Sequence, residues 1–373
     1  MQPIEQGGYT RQQIVDMLHG KTGPRVIKFR YDLLDRNDNK KETLTGVVSG
    51  EVRMNSLAKD IKRVANFTIR EESSINIDWL NDRIQPFCCF KMPDGNWVEW
   101  SLGIFLLSSP TRRESYGQVY RDIEAYDGLQ ILLDDKFDTR YIITAGTNYI
   151  DAIKAILNSA GIYKINITST VSTTRIDKEY EIGTSKLEVI NELLKEINYT
   201  SLWVDENGYY TAKPYGLPYQ QTPEYTYKDD DISIMYPEVE EELDLFNVPN
   251  KWVVVASNPN SVPLTSVYTN TNPNSITSTV NRGRTIVDFR QIDDIASQSD
   301  LDNYTQRIAY NASQVYGHIT FKTAIMPFHS FSDILQIEYS PLNISDKYQE
   351  TSWTIPLETG AQMEHVARRV VQI

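Results

Sequence analysis

The stretch GTSKLEVINELLKEINYTSLWVDENGYYTAKPY, residues 183–215, decides how the middle of this chain folds. Ser185 and Glu188 have the spacing of a capping box, in which each side chain satisfies a backbone N–H left unpaired at a helix start. Leu187, Ile190, Leu194 and Ile197 then recur at helical spacing, with Lys186, Asn191, Glu192, Lys195 and Glu196 on the other, solvent-facing side. A hairpin is predicted next. Residues 201–204 (SLWV) run into the turn Asp205-Glu206-Asn207-Gly208, and residues 209–212 (YYTA) return, because Asn-Gly accepts positive φ at little cost. An amphipathic helix feeding an aromatic hairpin reads as a docking module, and nothing in it resembles a reaction centre.

Around this module, 373 residues leave room for two to four domains with real cores. The 23 Tyr, against 11 Phe and 6 Trp, suit strands and contact surfaces, since the ring is apolar and its tip polar. A formal charge of −13 argues against a nucleic-acid clamp, which needs clustered Lys and Arg, and against attraction to anionic membranes. The two cysteines, Cys88 and Cys89, are sequence neighbours, and a bridge between them would be strained; they read as small buried hydrophobes. That excludes a disulfide-stapled secreted class. The N-terminus lacks a signal-peptide core, and the longest apolar run, 252–256, is far short of a membrane span, so the expectation is a soluble protein made in a cytoplasm. The Asn-x-Ser/Thr triplets at Asn66, Asn166, Asn198 and Asn343 read as chance matches.

In chain order, residues 1–23 read as a helical arm, with Thr10-x-x-Gln13 as a capping box, a stripe of Ile14, Met17 and Leu18, and Gly20 as stop. Gly20-Lys21-Thr22 imitates a phosphate-binding loop, but Val15 stands where such a loop needs glycine and a helix precedes it. Residues 24–128 alternate as strands with short turns, such as Pro93-Asp94-Gly95, and suggest a barrel or sandwich. Asp35-x-Asn37-x-Asn39 hints at a calcium loop, yet Lys40 and Gly46 occupy its glycine and glutamate positions, so it reads as a polar turn. Residues 129–220 form an α+β domain with a helix near 148–160, and 216–224 reads as a linker. Residues 221–373 return to β. Within them, Trp252 to Ala256 reads as a strand buried on both faces, and 257–279 as a long projecting loop or hairpin. A helix over 300–316 carries Leu301, Tyr304, Ile308, Ala312 and Val315 on one face, and a final strand covers 363–373.

No catalytic, cofactor-binding or metal-binding residue is assigned. His19, His318, His329 and His365 are scattered without metal-ligand spacing, and no nucleophile elbow, zinc-protease motif or dinucleotide fingerprint occurs. The acidic runs at 229–231 and 238–242 read as solvated surface. Nothing here selects an enzyme.

Three stretches nevertheless make a familiar order: the 187–214 helix-hairpin, the Asn/Pro/Ser-rich segment leading to Asn281-Arg-Gly-Arg284, and the 301–314 helix LDNYTQRIAYNASQ. That helix is followed by a strand, Pro327, and Ser332-Asp333-Ile334-Leu335-Gln336-Ile337. Together they resemble the baseplate hub, or tail-associated (tail tip), proteins of bacteriophage tails. This family often has Gly-Asp where the present chain has Ser332-Asp333. The resemblance implies a β-rich α+β fold with two small tail-tube-like β-barrels, at 24–128 and 221–373, and the α+β domain between them. It implies a structural virion protein without cofactor or metal, a homotrimeric ring that closes the distal end of the tail tube and lets DNA pass. Its implied partners are a distal-tail ring protein, a tape measure protein and a spike or fibre protein, at the virion tail tip after assembly in the bacterial host cytoplasm. With the last predicted strand ending at Ile373, neither a fibre nor a peptidoglycan-cutting domain is expected. The competing reading is a tail-fibre-like carbohydrate-binding adhesin, stacking sugars on aromatics such as Tyr268; a cell-wall hydrolase comes third.

Overall fold

The computed structural model describes every residue except 72–75, 109, 243–245, 247, 259–261 and 315–316. Ser185 caps helix Lys186–Glu196, its hydroxyl accepting from the Glu188 N–H at 3.2 Å. Leu187, Ile190 and Leu194 enter a core shared with Ile153, Ile156 and Leu157 of helix Tyr149–Ser159 and with Leu129 and Leu132 of helix Leu129–Asp134. The hairpin closes with Gly208 at φ 84°, and its returning strand Tyr210–Ala212 pairs with Trp203–Val204 and, in parallel, with Ile165–Ile167. Lys186 and Glu196 depart from the expected solvent face, for both are buried. Lys186 Nζ meets Asp135 at 2.6 Å, and Glu196 accepts from Lys178 Nζ at 2.6 Å and from the Tyr149 hydroxyl at 2.8 Å. Other elements pack over this side of the helix, so its charges are paired instead of hydrated. Burial pushes the Glu196 carboxyl up to about 6, against the opposing pull of Lys178.

The flanking β sequence joins into one open sheet of 15 strands. Its main path runs from Glu240–Glu242 through His318–Ala324 and Gln362–Arg369 to Ile344–Pro356. It then crosses to Val47–Asn55, Arg63–Arg70, Gln118–Tyr126, Phe105–Leu107, Arg83–Lys91, Ile27–Leu34 and Lys40–Leu44. Among the described strands the crossing is made by Ile344–Pro356. Its first half pairs with Ile334–Tyr339 and its last five residues pair with Glu51 to Asn55, so one strand belongs to both halves. Apolar side chains of the two halves, among them Phe67, Trp100 and Phe105 with Tyr227, Phe321 and Trp353, form a single core. The β-rich expectation is met, but no closed barrel forms among the described residues. In the first half the strands on either side of Gly46 do not pair with each other, and in the second half the long strand gives an edge to its neighbour half.

Residues 251–313 depart further from the sequence reading. Strands Lys251–Ala256, Leu264–Thr269 and Val287–Ile292 make a separate three-stranded sheet, and helix Gln298–Ser313 covers one face of it. The predicted helix 300–316 thus starts two residues early, at the Ser297 cap, and Val315 and Tyr316 lie outside the described residues. Within 257–279, read as a projecting loop or hairpin, Leu264–Thr269 pairs antiparallel with Lys251–Ala256, and 259–261 lie outside the described residues. Beyond the strand the polar side chains knit the backbone. Asn270 Nδ2 donates to Ser275 Oγ at 2.8 Å, and Asn281 Nδ2 donates to the carbonyls of Pro273 and Ser275. An Asn- and Ser-rich composition serves here to satisfy buried turns.

The N-terminal arm lies against the fold instead of projecting. Thr10 and Gln13 complete the capping box of helix Arg11–Leu18, whose Ile14, Met17 and Leu18 are buried. Gln2 Nε2 donates to the carbonyls of Ser101 and Pro327, one from each half of the sheet. Among the described residues no helix is long and apolar enough to cross a membrane.

Leu194 is fully buried in the α+β core. Leu194→Ala should cost about 2–5 kcal/mol, read as a lower urea midpoint at unchanged m-value. A loss below about 1 kcal/mol would show that this helix does not organise the domain.

Candidate functional site

Two features stand out: a buried polar junction where the sheet halves meet, and a nearly uncharged sheet face that stays exposed among the described residues. At the junction, the register of Ile344–Pro356 against Gln362–Arg369 slips between Glu350 and Ser352. Before this bulge the inward positions are Tyr348 and Glu350; after it they are Thr351, Trp353 and Ile355. A β-bulge shifts the alternation by one residue, and here it leaves a carboxylate facing the core.

Glu350 is met by two imidazoles. His329 Nδ1 donates to one oxygen and His365 Nδ1 to the other, each at 2.7 Å. The outer nitrogen of His329 bonds the Tyr227 hydroxyl at 2.6 Å, and that of His365 bonds Thr323 Oγ1 at 2.9 Å. Asp333 lies 3.5 Å from His329 Nδ1, accepts from the Ser330 N–H at 2.8 Å, and with Glu224 receives the Met1 ammonium. Ser332 beside it has φ 58°, a left-handed conformation that glycine adopts freely. Burial pulls the His329 imidazole down, but Glu350 and Asp333 outweigh it and raise it to about 9; burial dominates at His365 and lowers it. One imidazolium and one neutral imidazole therefore share one carboxylate.

The sequence treated these histidines as scattered, and the fold brings two of the four together. His19 instead bonds the Tyr225 hydroxyl at 2.6 Å, and His318 opens the strand His318–Ala324. His329, Glu350 and His365 are the one set among the described residues whose geometry could hold a metal. Their ligand atoms already satisfy one another, so the trio is a hydrogen-bonded lock. The separations of 21 and 15 residues follow no ligand motif, so spacing gave no signal.

The second feature is the outer face of the three-stranded sheet. Trp252, Val254 and Ala256 face helix Gln298–Ser313, whereas Val253 and Val255 point away from it and remain half-exposed. Strand register sets Val253 between Val267 and Phe289, which are 54% and 62% exposed. The expectation that 252–256 is buried on both faces thus fails within the chain. Residues 252–281 carry no charged side chain, although the chain carries −13. Tyr268, the aromatic offered for sugar stacking, packs half-buried against Trp252 and donates its hydroxyl to the Ile373 carbonyl at 3.0 Å.

Because the raised His329 pKa favours the protonated folded state, its stabilisation is complete below about pH 6.5 and lost as pH rises through about 9. At ~1.4 kcal/mol per pKa unit this amounts to about 3 kcal/mol. Thermal melts should fall over that window, and His329→Gln should flatten the slope. An identical slope in the variant would refute the assignment.

No protein-family model matches the chain, and no curated protein matches it either. Solved structures do. The tail protein from Neisseria meningitidis MC58 superposes with a TM-score of 0.63 at 12% identity, over 91% of this chain and 96% of that one. The 43 kDa tail protein of prophage MuSo2 from Shewanella oneidensis gives 0.63 at 9% identity, over 91% and 98%. The prophage tail protein gp18 from Listeria monocytogenes EGD-e gives 0.58 at 15% identity, over 91% and 94%. At such identities the likeness is one of architecture, and it spans both sheet halves and the modules between them: the chain has the fold of phage tail proteins.

Proposed function

We propose that the chain is a structural subunit of a phage tail tip or baseplate, a hub that closes the distal end of the tail tube. The carrying observation is the fold shared with tail proteins over 91% of the chain and nearly all of theirs. On this reading residues 24–128 and 221–373 supply two tail-tube-like units, 129–220 the domain between them, and 1–23 the arm. Three copies would form a ring of six such units against a sixfold tube. The distal-tail ring protein, the tape measure protein and a spike or fibre protein would be its neighbours at the virion tail tip. The acidic balance supports passage of DNA, since carboxylates repel its phosphates. The role is assembly, without catalysis.

The uncharged sheet face supports subunit contact. Chains that each carry −13 approach most readily where charge is absent, and depletion of charge marks interface cores. Light scattering across a concentration series should report three times the 42.9 kDa monomer, with annular particles by negative stain. Val253→Glu with Phe289→Glu should shift the mass toward monomer while leaving the melting temperature within a few degrees, because both positions are solvent-facing in the single chain. A wild-type monomer that stays monomeric with its tail neighbours would overturn the hub reading.

A further inference from the structure

A cleft of about 170 Å³ opens where several parts of the chain converge. Helix Gln298–Ser313 contributes Arg307, the segment after Tyr210–Ala212 contributes Lys213, and strand Gln362–Arg369 contributes Arg368. Gln221, Gln314 and Gln349 add amides to the wall. No aspartate or glutamate is among the described residues that line it, in a chain with 50 acidic residues.

The cations of this cleft lack the carboxylate partners that several others in the molecule have. Arg30, Arg83, Arg113 and Arg369 each reach a carboxylate at 2.5 or 2.6 Å. Arg307 Nη1 donates to the Tyr199 carbonyl at 2.7 Å and more weakly to Asn198 at 3.4 Å, and its guanidinium lies 4.5 Å above the Tyr215 ring. These contacts fix the plane of the group through Nη1, and no hydrogen bond from Nε or Nη2 occurs among the described residues. Arg368 stands beside Gln349 in the strand register, and neither its guanidinium nor the Lys213 ammonium has a hydrogen-bond or ion-pair partner among the described residues. Burial lowers the pKa of both arginines, and no carboxylate stands near to offset it. An arginine stays protonated nonetheless, and a bound anion would offset the cost of withdrawing these half-buried charges from water.

We propose that this cleft binds a small multivalent oxyanion of the phosphate or sulfate type. Arg307 and Arg368 would grip it from positions fixed by a helix and a strand, with Lys213 at the rim. Guanidinium groups suit oxyanions because their parallel N–H donors match two oxygens at once. The volume is below the roughly 300–1,000 Å³ of sites for drug-sized ligands, so the cleft takes the anionic group itself and not a nucleotide. The assignment does not rest on the hub reading.

The test is calorimetric titration of the full chain, at low ionic strength, with inorganic phosphate, with sulfate and with acetate. Saturable one-site binding of phosphate or sulfate is expected. Arg368→Gln should weaken it roughly tenfold or more, since a charge-assisted hydrogen bond is lost, and Lys213→Gln should weaken it less. Arg36→Gln, in a different cleft, should leave it unchanged. Melting curves establish that each variant is folded, and neither Arg368 nor Lys213 holds a bond whose loss would unfold the chain. Absence of saturation by phosphate and sulfate, saturation by acetate alone, or affinity unchanged in both Arg368→Gln and Lys213→Gln would overturn the proposal.

Discussion

Between Glu350 and Ser352 one extra residue enters strand Ile344–Pro356, and the rest of the sheet depends on it. Ahead of the bulge the strand pairs with Ile334–Tyr339; beyond it, along the same side, the strand pairs with Val47–Asn55. Both partners run antiparallel to it, one after the other along its length, and a bulge adds a local bend between them. It also turns Glu350 into the core, where an unpaired carboxylate would be costly. His329 and His365 answer that cost, and their attachments through Tyr227 and Thr323 tie the bulge to the neighbouring strands Tyr225–Lys228 and His318–Ala324. Joining the halves and satisfying the carboxylate are one event.

The same electrostatic reasoning separates the two outward-looking features. The face around Val253 and Phe289 is free of carboxylates and nearly free of charge, so an apolar surface meets it without stripping water from ions. The cleft around Arg307 and Arg368 is also free of carboxylates, but its cations remain, and it favours an anion. In a chain with 37 basic and 50 acidic residues, regions that lack acids stand out against the background. One is suited to a neighbour's surface and the other to a small ligand, and neither needs the other to act.

Local signals were legible wherever the physics is local. Thr10 with Gln13 and Ser185 with Glu188 announced their helices, because a cap involves groups three residues apart. Gly95 and Gly208 take the positive φ that their turns demand. The helix read at 300–316 forms at Gln298–Ser313, for its apolar stripe meets a sheet whatever sheet that is. The Ser332-Asp333 turn was noticed only through resemblance, and its Ser332 has a left-handed backbone.

What the sequence by itself determined was the existence and type of these elements, the β-rich balance and the acidic, low-cysteine character, since each follows from neighbours in the chain. The tertiary structure alone decided which strands pair. Among the described residues it closed no barrel, put Lys186 and Glu196 in ion pairs where a solvent face was expected, and set His329, Glu350 and His365 in contact. Those outcomes depend on residues far apart in the chain, and neither periodicity nor composition encodes which distant groups will meet. The bare second face of Lys251–Ala256 shows the limit most directly: a strand's own residues record that they are apolar, but not what will cover them.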